Sequence, residues 1–338
     1  MPAPSLPNPQ QIVDRLRTLQ RHIRHAVIAS HDAVDLAQVH RVSSADTIYG
    51  IDAVIEPVIE KYLEEWGREQ PLVLVAEGIE PESGRVFPAG AKESDAKIRL
   101  LIDPIDGTRG LMYDKRAAWS LAGAAVNHGD ATRLRDIDVA VMTELPTSKM
   151  GSGDVLWSIR GQGAHAVREV LTSADVTPAS APHLIEHSTA TSIKHGFAMV
   201  SNFFPGTKVL AAELMEHIIG HLLGPADVNA AMVFEDQYIS TGGQFYELIV
   251  GHDRFNADLR PLFYKIQKQP EGLCCHPYDC ATLLIAEESG VVITNGLGAP
   301  LDSPMDVTTG LSWAAYANQQ LQSAIEPLLT RFLRERGG

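Results

Sequence analysis

The string Leu101-Ile102-Asp103-Pro104-Ile105-Asp106-Gly107-Thr108 constrains this chain more than any other stretch. The apolar run Ile98 to Ile102 before it reads as a buried strand. That strand runs into two carboxylates three residues apart. Pro104 between them has a locked φ and biases Asp103 toward an extended backbone, so the chain cannot continue as helix. Both Asp side chains and the Ile105 carbonyl can then face one point at the strand end. Such a cluster of hard oxygen donors suits Mg²⁺ or Mn²⁺ far better than zinc. Gly107 lets the backbone pass close to a ligand. If a helix starts at Gly107 and Thr108, its free N–H groups favour a phosphate. Taken alone, Asp-Pro and Asp-Gly are ordinary turn signals; it is the full string after a strand that is specific.

Composition bounds what such a site can serve. The 338 residues are 45% hydrophobic and 21% charged, ordinary values for one large or two smaller globular domains. No apolar run reaches membrane-spanning length, and the N-terminus has none of the regions of a secretory signal, so no membrane association is expected. Three cysteines, all between Cys274 and Cys280, make no disulfide framework and point to a reducing, cytoplasmic setting. The net charge of −14 argues against a nucleic-acid partner. Bound divalent cations would reverse the sign locally, so the acidity does not exclude phosphate chemistry.

Apolar spacing predicts a helix from Pro9 to about His31 and a second from about Thr47 to Trp66, joined through the loop Arg41 to Asp46. Asp46 is a plausible helix cap and Asp52 an acid near a helix start. Leu72 to Ala76 reads as a short strand ending in Glu77. Strands follow at Trp119–Val126, Ile137–Met142 and Val155–Ile159, which implies an antiparallel sheet packed on helices. Thr172 to Pro182 reads as a connection. The second half alternates strand and helix: a strand at Phe197–Val200, a helix at Leu210–Leu223, and a closing helix from Ser312 to Arg336. Gly251 to Pro277 reads as a long loop beside the substrate mouth.

The Asp-Pro-Ile-Asp-Gly-Thr string, the paired N-terminal helices with Ser-Ser-Ala-Asp between them, Ala76-Glu77-Gly78, Gly242 to Glu247 and Tyr278-Asp279-Cys280-Ala281 together resemble the inositol monophosphatase superfamily. That superfamily includes fructose bisphosphatases and phosphoadenosine-phosphate phosphatases. The resemblance implies a layered α-β-α-β-α sandwich, mixing α+β and α/β character. The connection at Thr172 to Pro182 divides the chain into residues 1–190, with the metal motif, and 191–338, with substrate contacts and Asp279. The resemblance also implies two or three Mg²⁺ ions, or Mn²⁺, held by Glu77, Asp103, Ile105, Asp106, Asp279 and Asp46. Thr108, oriented by Asp52 and assisted by Glu77, handles the attacking water. Gly107 and Thr108 bind phosphate, and Glu247 contacts substrate. Arg254 and Arg260 of the 251–277 segment are the expected contacts for a second anion. The implied protein is a lithium-sensitive, homodimeric phosphatase of a small phosphorylated polyol or sugar. A sugar bisphosphatase, a nucleotide 3′-phosphatase and a non-catalytic phosphate binder remain as alternatives. The chain departs from the pattern at Ala76-Glu77-Gly78, where the superfamily has a second acid, and at Tyr278, where it has Trp.

Overall fold

A computed structural model describes residues 5–30, 39–42, 47–171, 176–227 and 229–338. The chain opens with α1 (Pro9–Ser30), a two-stranded ribbon β1 (Val39–Val42) and β2 (Thr47–Tyr49), and α2 (Gly50–Glu69). Then come β3 (Leu72–Ala76), β4 (Arg85–Phe87), β5 (Ile98–Asp106), the short α3 (Thr108–Met112), β6 (Ala118–Val126), β7 (Ile137–Leu145), β8 (Ser152–Ile159), β9 (Ala164–Leu171), β10 (Val176–Pro178) and β11 (His183–Leu184). The remainder is β12 (Phe197–Val200), α4 (Lys208–Leu223), α5 (Thr241–Ile249), β13 (Asp253–Asp258), α6 (Arg260–Ile266), α7 (Leu283–Glu288), β14 (Val292–Thr294), β15 (Trp313–Tyr316) and α8 (Gln319–Glu335).

Ile12, Leu16, Leu19, Ile23 and Val27 form one fully buried stripe of α1, as their helical spacing requires. With α2 that stripe covers one face of a large sheet ordered β10-β9-β8-β7-β6-β5-β3-β4, with β11 added on β9. The sheet is antiparallel except where β3 and β5 run parallel. Its other face packs on α5 and α7, which in turn contact a four-stranded sheet ordered β12-β13-β15-β14. Helices α4 and α8 close the far side. The result is the expected α-β-α-β-α layering. The large sheet ends at Leu184 and the small one begins at Phe197, yet one apolar core runs through both, from Val75 to Leu333.

Three expectations fail. The 251–277 stretch is not a long loop: it supplies β13, a middle strand of the small sheet, and α6. Its polar residues hid this, because Asn256 and Asp258 are buried with hydrogen-bonded side chains instead of facing water. Helix does not begin at Ser312 either; Trp313–Tyr316 is a fully buried strand, and α8 starts only after Asn318, whose side chain caps Leu321 N at 3.0 Å. Finally, Thr172 to Pro182 is not only a connection, since Val176–Pro178 forms β10 on β9; β9 itself, Ala164–Leu171, drew no assignment from sequence because Arg168 and Glu169 mask its period of two.

Candidate metal centre

Asp103 and Asp106 are three residues apart, and in a regular strand they would face opposite sides of the sheet. They do not, because β5 carries a bulge. Asp103 pairs with Leu121 and Asp106 with Trp119, so three steps on β5 span two on β6. The extra residue restores a common face, and Pro104, with no N–H to lose, sits inside the bulge. Leu121 and Trp119 face the α5/α7 layer, and so do both carboxylates.

Two further elements meet them there. A 3₁₀ turn at Tyr278–Cys280 brings Asp279, held by the His276 N–H on Oδ2 at 2.6 Å. One oxygen each of Asp103, Asp106 and Asp279 lies within 4.8 Å of the others. The start of α5 closes on Asp106. The Ser240 hydroxyl donates to Oδ2 at 2.9 Å, Gly242 N to Oδ2 at 2.5 Å and Thr241 N to Oδ1 at 3.3 Å. Ser240 is also the N-cap, accepting from Gly243 N at 2.9 Å. The two glycines are required by space: a Cβ on Gly242 would stand 2.5 Å from Leu121 Cδ2, and one on Gly243 2.3 Å from the Tyr238 ring.

Burial sets the electrostatics. Asp103 and Asp106 are 1% and 6% exposed, while Asp279 keeps 17% of its side chain open to solvent. The Asp103 carboxyl is pushed well above the ordinary range by burial, then by the charges of Glu77, Asp106 and Asp279. Asp106 rises to about 7 by burial, partly offset by its three donors on α5. Asp279 also rises, by burial and by Asp106, against the His276 N–H and Arg260. Buried carboxylates that repel one another and expose only hard oxygens are the donor set a divalent cation satisfies. The residues present therefore fit Mg²⁺ or Mn²⁺.

The other expected residues fall into three groups. Glu77 begins where β3 ends; its N–H donates to Ile102 O at 3.2 Å and its charge reaches Asp103. Ile105 donates its N–H to Asp103 Oδ1 at 3.0 Å, and its carbonyl accepts from Thr108 Oγ1 at 2.7 Å. Gly107 caps α3 with φ of 97°, a left-handed conformation that a glycine adopts without strain. These residues gather around the carboxylates. Asp46 lies outside the described residues, as does the side chain of Asp52 on α2. Glu247 and Arg254 lie elsewhere. Glu247 is five residues along α5 from Gly242. It pairs with Arg116 Nη2 at 3.4 Å and His252 Nδ1 at 2.6 Å, and it lines a cavity of about 270 Å³ with Trp119, Glu144 and Tyr246. None of the three clustered aspartates lines that cavity. Arg254, at the opposite end of β13 from Asp258, is folded back onto Gly251 O at 2.8 Å. Arg260 does come close to Asp279, but already paired: its Nε is 2.8 Å from Asp258 Oδ1 and its Nη1 donates to Leu273 O at 3.1 Å.

Sequence reasoning missed two contributors, the Ser240-Thr241-Gly242 cap and the buried Asp258. A Ser before an apolar run is a cap signal, so α5 could have been started there. Nothing local says that its N-terminus faces Asp106.

Fold and site together define a five-layer protein with a buried polycarboxylate centre where the large sheet meets the α5/α7 layer. No protein-family model matches the chain. A curated protein of Methanothermobacter thermautotrophicus, described as fructose-1,6-bisphosphatase/inositol-1-monophosphatase, is 23% identical over 277 residues, covering 81% of this chain and 80% of that one. The solved inositol monophosphatase of Thermotoga maritima superposes with a TM-score of 0.61 at 14% identity, over 97% of this chain and all of the other. The extragenic suppressor protein SuhB of Bartonella henselae gives 0.64 at 14% identity, over 95% and 99%. The chain has the fold of these solved inositol monophosphatases and resembles the curated relative in sequence over 81% of its length.

Proposed function

We propose that this protein is a divalent-metal-dependent phosphatase that hydrolyses a small polyol or sugar monophosphate. The observation carrying this reading is the convergence of Asp103, Asp106 and Asp279, from three separate elements, on one buried point. The names of the relatives support phosphate-ester hydrolysis, and the double name of the curated relative favours including bisphosphates among the substrates tested. Glu77, Asp103, Asp106 and Asp279 would hold the ions, with the Ile105 carbonyl beside them. Bound there, Mg²⁺ supplies an acidic water at neutral pH and positive charge opposite the leaving oxygen.

The rest falls to the chain itself. The N-terminus of α5 holds Asp106 in one orientation through three donors. Thr108, on the first turn of α3, orients the attacking water through the hydroxyl that now rests on Ile105 O. Gly107 carries no side chain to crowd the phosphoryl group. Asp279 is the most open of the three carboxylates, so substrate would approach the ions from its side. The free thiols Cys274, Cys275 and Cys280 favour a reducing compartment. The test is phosphate release from inositol phosphates, hexose mono- and bisphosphates, glycerol phosphate and phosphoadenosine phosphate, with Mg²⁺ and with EDTA. Release that needs Mg²⁺ is the expected result, and no release from any ester at saturating Mg²⁺ would end the proposal.

A further inference from the structure

Helix α1 carries Arg17, Arg21 and Arg24 along one stripe, four and three residues apart. All three point at a single carboxylate, Glu169 of β9, at 4.0, 3.8 and 2.9 Å. Glu169 is 2% exposed and Arg24 1%. The Arg17 guanidinium also lies over the Trp157 ring, 4.4 Å from its centroid. Arginine does not shed its proton, so among the described residues three cations converge on one anion. The hydrogen bonding is incomplete mostly on the donor side, although Glu169 Oε2 also makes no hydrogen bond among the described residues. Arg24 Nε and Nη1, Arg17 Nε and Arg21 Nε are shut off from solvent and find no partner among the described residues.

Neighbouring acids do not make up the difference. Asp14 is exposed, one turn before Arg17. Glu144 feels Arg24, but from across the sheet. Thr143 reaches α1 through Gln20 at 2.7 Å, so the next residue of β7 faces the opposite layer, where Glu144 accepts from Asp154 N. Surplus buried charge with idle donors is costly, and a counter-ion removes the cost.

We infer that this arginine stripe is a binding site for a phosphate-class oxyanion, either inorganic phosphate or the phosphoryl group of a small metabolite. The ion sits at the surface between Arg17 and Arg21, whose side chains are 23% and 40% exposed, with Arg24 and Glu169 behind them. Guanidinium forks match the oxygens of a tetrahedral anion in pairs, which a spherical chloride cannot exploit. The site is distinct from the metal centre. It lies on the α1 face of the sheet rather than the α5/α7 face, and β9 stands four strand spacings from β5, about 19 Å.

The test is run in EDTA, where the bare carboxylate centre repels anions, so its outcome is independent of the phosphatase reading. Equilibrium dialysis of the whole protein against labelled inorganic phosphate should find one ion bound per chain. Thermal unfolding should show a saturable rise of roughly 2 °C with phosphate or sulfate over chloride at matched ionic strength. Arg17→Gln and Arg21→Gln leave the Arg24–Glu169 pair intact, and each should weaken binding about tenfold by removing a charge-assisted contact. Glycerol 2-phosphate separates the two sources: an equal shift means the site takes phosphoryl esters, and a shift with inorganic phosphate alone means the free ion. No bound phosphate in the wild-type protein at 10 mM (roughly the weakest affinity worth the name site), or unchanged binding in both variants, overturns the inference.

Discussion

The carboxylate centre on β5 and the arginine stripe on α1 are opposite in sign and alike in construction. Each gathers three like charges at the face of one sheet and is short of counter-charge among the described residues, though Arg17 and Arg21 stay partly open to solvent. They differ in how the backbone responds. At the carboxylates it supplies compensation, since Asp106 takes three donors from α5, Asp103 takes Ile105 N and Asp279 takes His276 N. At the arginines, among the described residues, the compensation comes chiefly from one glutamate side chain. A like-charge cluster held by backbone donors keeps its geometry whether or not an ion is present. A cluster held by a single opposite charge depends on that charge for its integrity.

Substitutions can break or sharpen this contrast. The largest effect belongs to Asp106→Asn. Turnover with Mg²⁺ should fall by about a thousandfold or more, since ion charge supplies several kcal/mol at the transition state. In EDTA the same variant should melt no lower than wild type, because one repelling charge is gone. Near-normal turnover at saturating Mg²⁺ would undo the assignment of the centre.

Glu169→Gln should behave in the opposite way. It removes the one carboxylate among the described residues on which the three arginines converge, so denaturant unfolding should report a loss of about 3 kcal/mol, while turnover per folded molecule stays near normal. A stability change below about 1 kcal/mol would mean that solvent already screens the stripe.

Gly242→Ala tests the backbone compensation itself. The added methyl has nowhere to go between Leu121 and Asp106 Oδ2, 3.0 Å away. Roughly 2 kcal/mol of stability should be lost by overpacking, and Mg²⁺ titration should show weaker binding as α5 backs off Asp106. Unaltered Mg²⁺ affinity would show that the cap is structural only.

The smallest effect should be that of Glu144→Gln, in the sheet between the two clusters. Burial raises the Glu144 carboxyl from 4.5 to about 7. The folded state then holds the proton more tightly than the unfolded state, so this group costs stability as pH rises from about 4.5 to 7, and the cost is complete above that. The variant should be more stable than wild type by about 1–2 kcal/mol at pH 8, with the gain vanishing near pH 4. A gain independent of pH would point to packing instead.

Much of this molecule was legible because its signals are local. Asp103-Pro104-Ile105-Asp106-Gly107-Thr108 announces a strand end with paired acids, and α1 shows its apolar stripe in plain helical spacing. The layering followed from the resemblance those motifs carry. What stayed hidden depends on partners far along the chain. The bulge that turns Asp103 and Asp106 to one face is a pairing event with β6. Asn256 and Asp258 look solvent-facing until their hydrogen bonds inside the small sheet are known. Arg254 and Arg260 looked equivalent in sequence, yet β13 sends them to opposite ends, and Asp258 neutralises the one that reaches the centre. The arginine stripe was passed over because Arg17, Arg21 and Arg24 match the polar side of an ordinary amphipathic helix. Only β9, itself unread, reveals that this side is covered.

The grip of α5 on Asp106 also bears on synthesis. When the ribosome has made β5, both aspartates of the motif exist, but the helix that orients Asp106 and the turn that carries Asp279 have not been translated. On the proposed reading, a nascent chain would therefore capture no ions at this centre until the small sheet has been made and docked. The motif that marks the protein early in its sequence becomes competent only near the end of folding, when both halves are present to complete it.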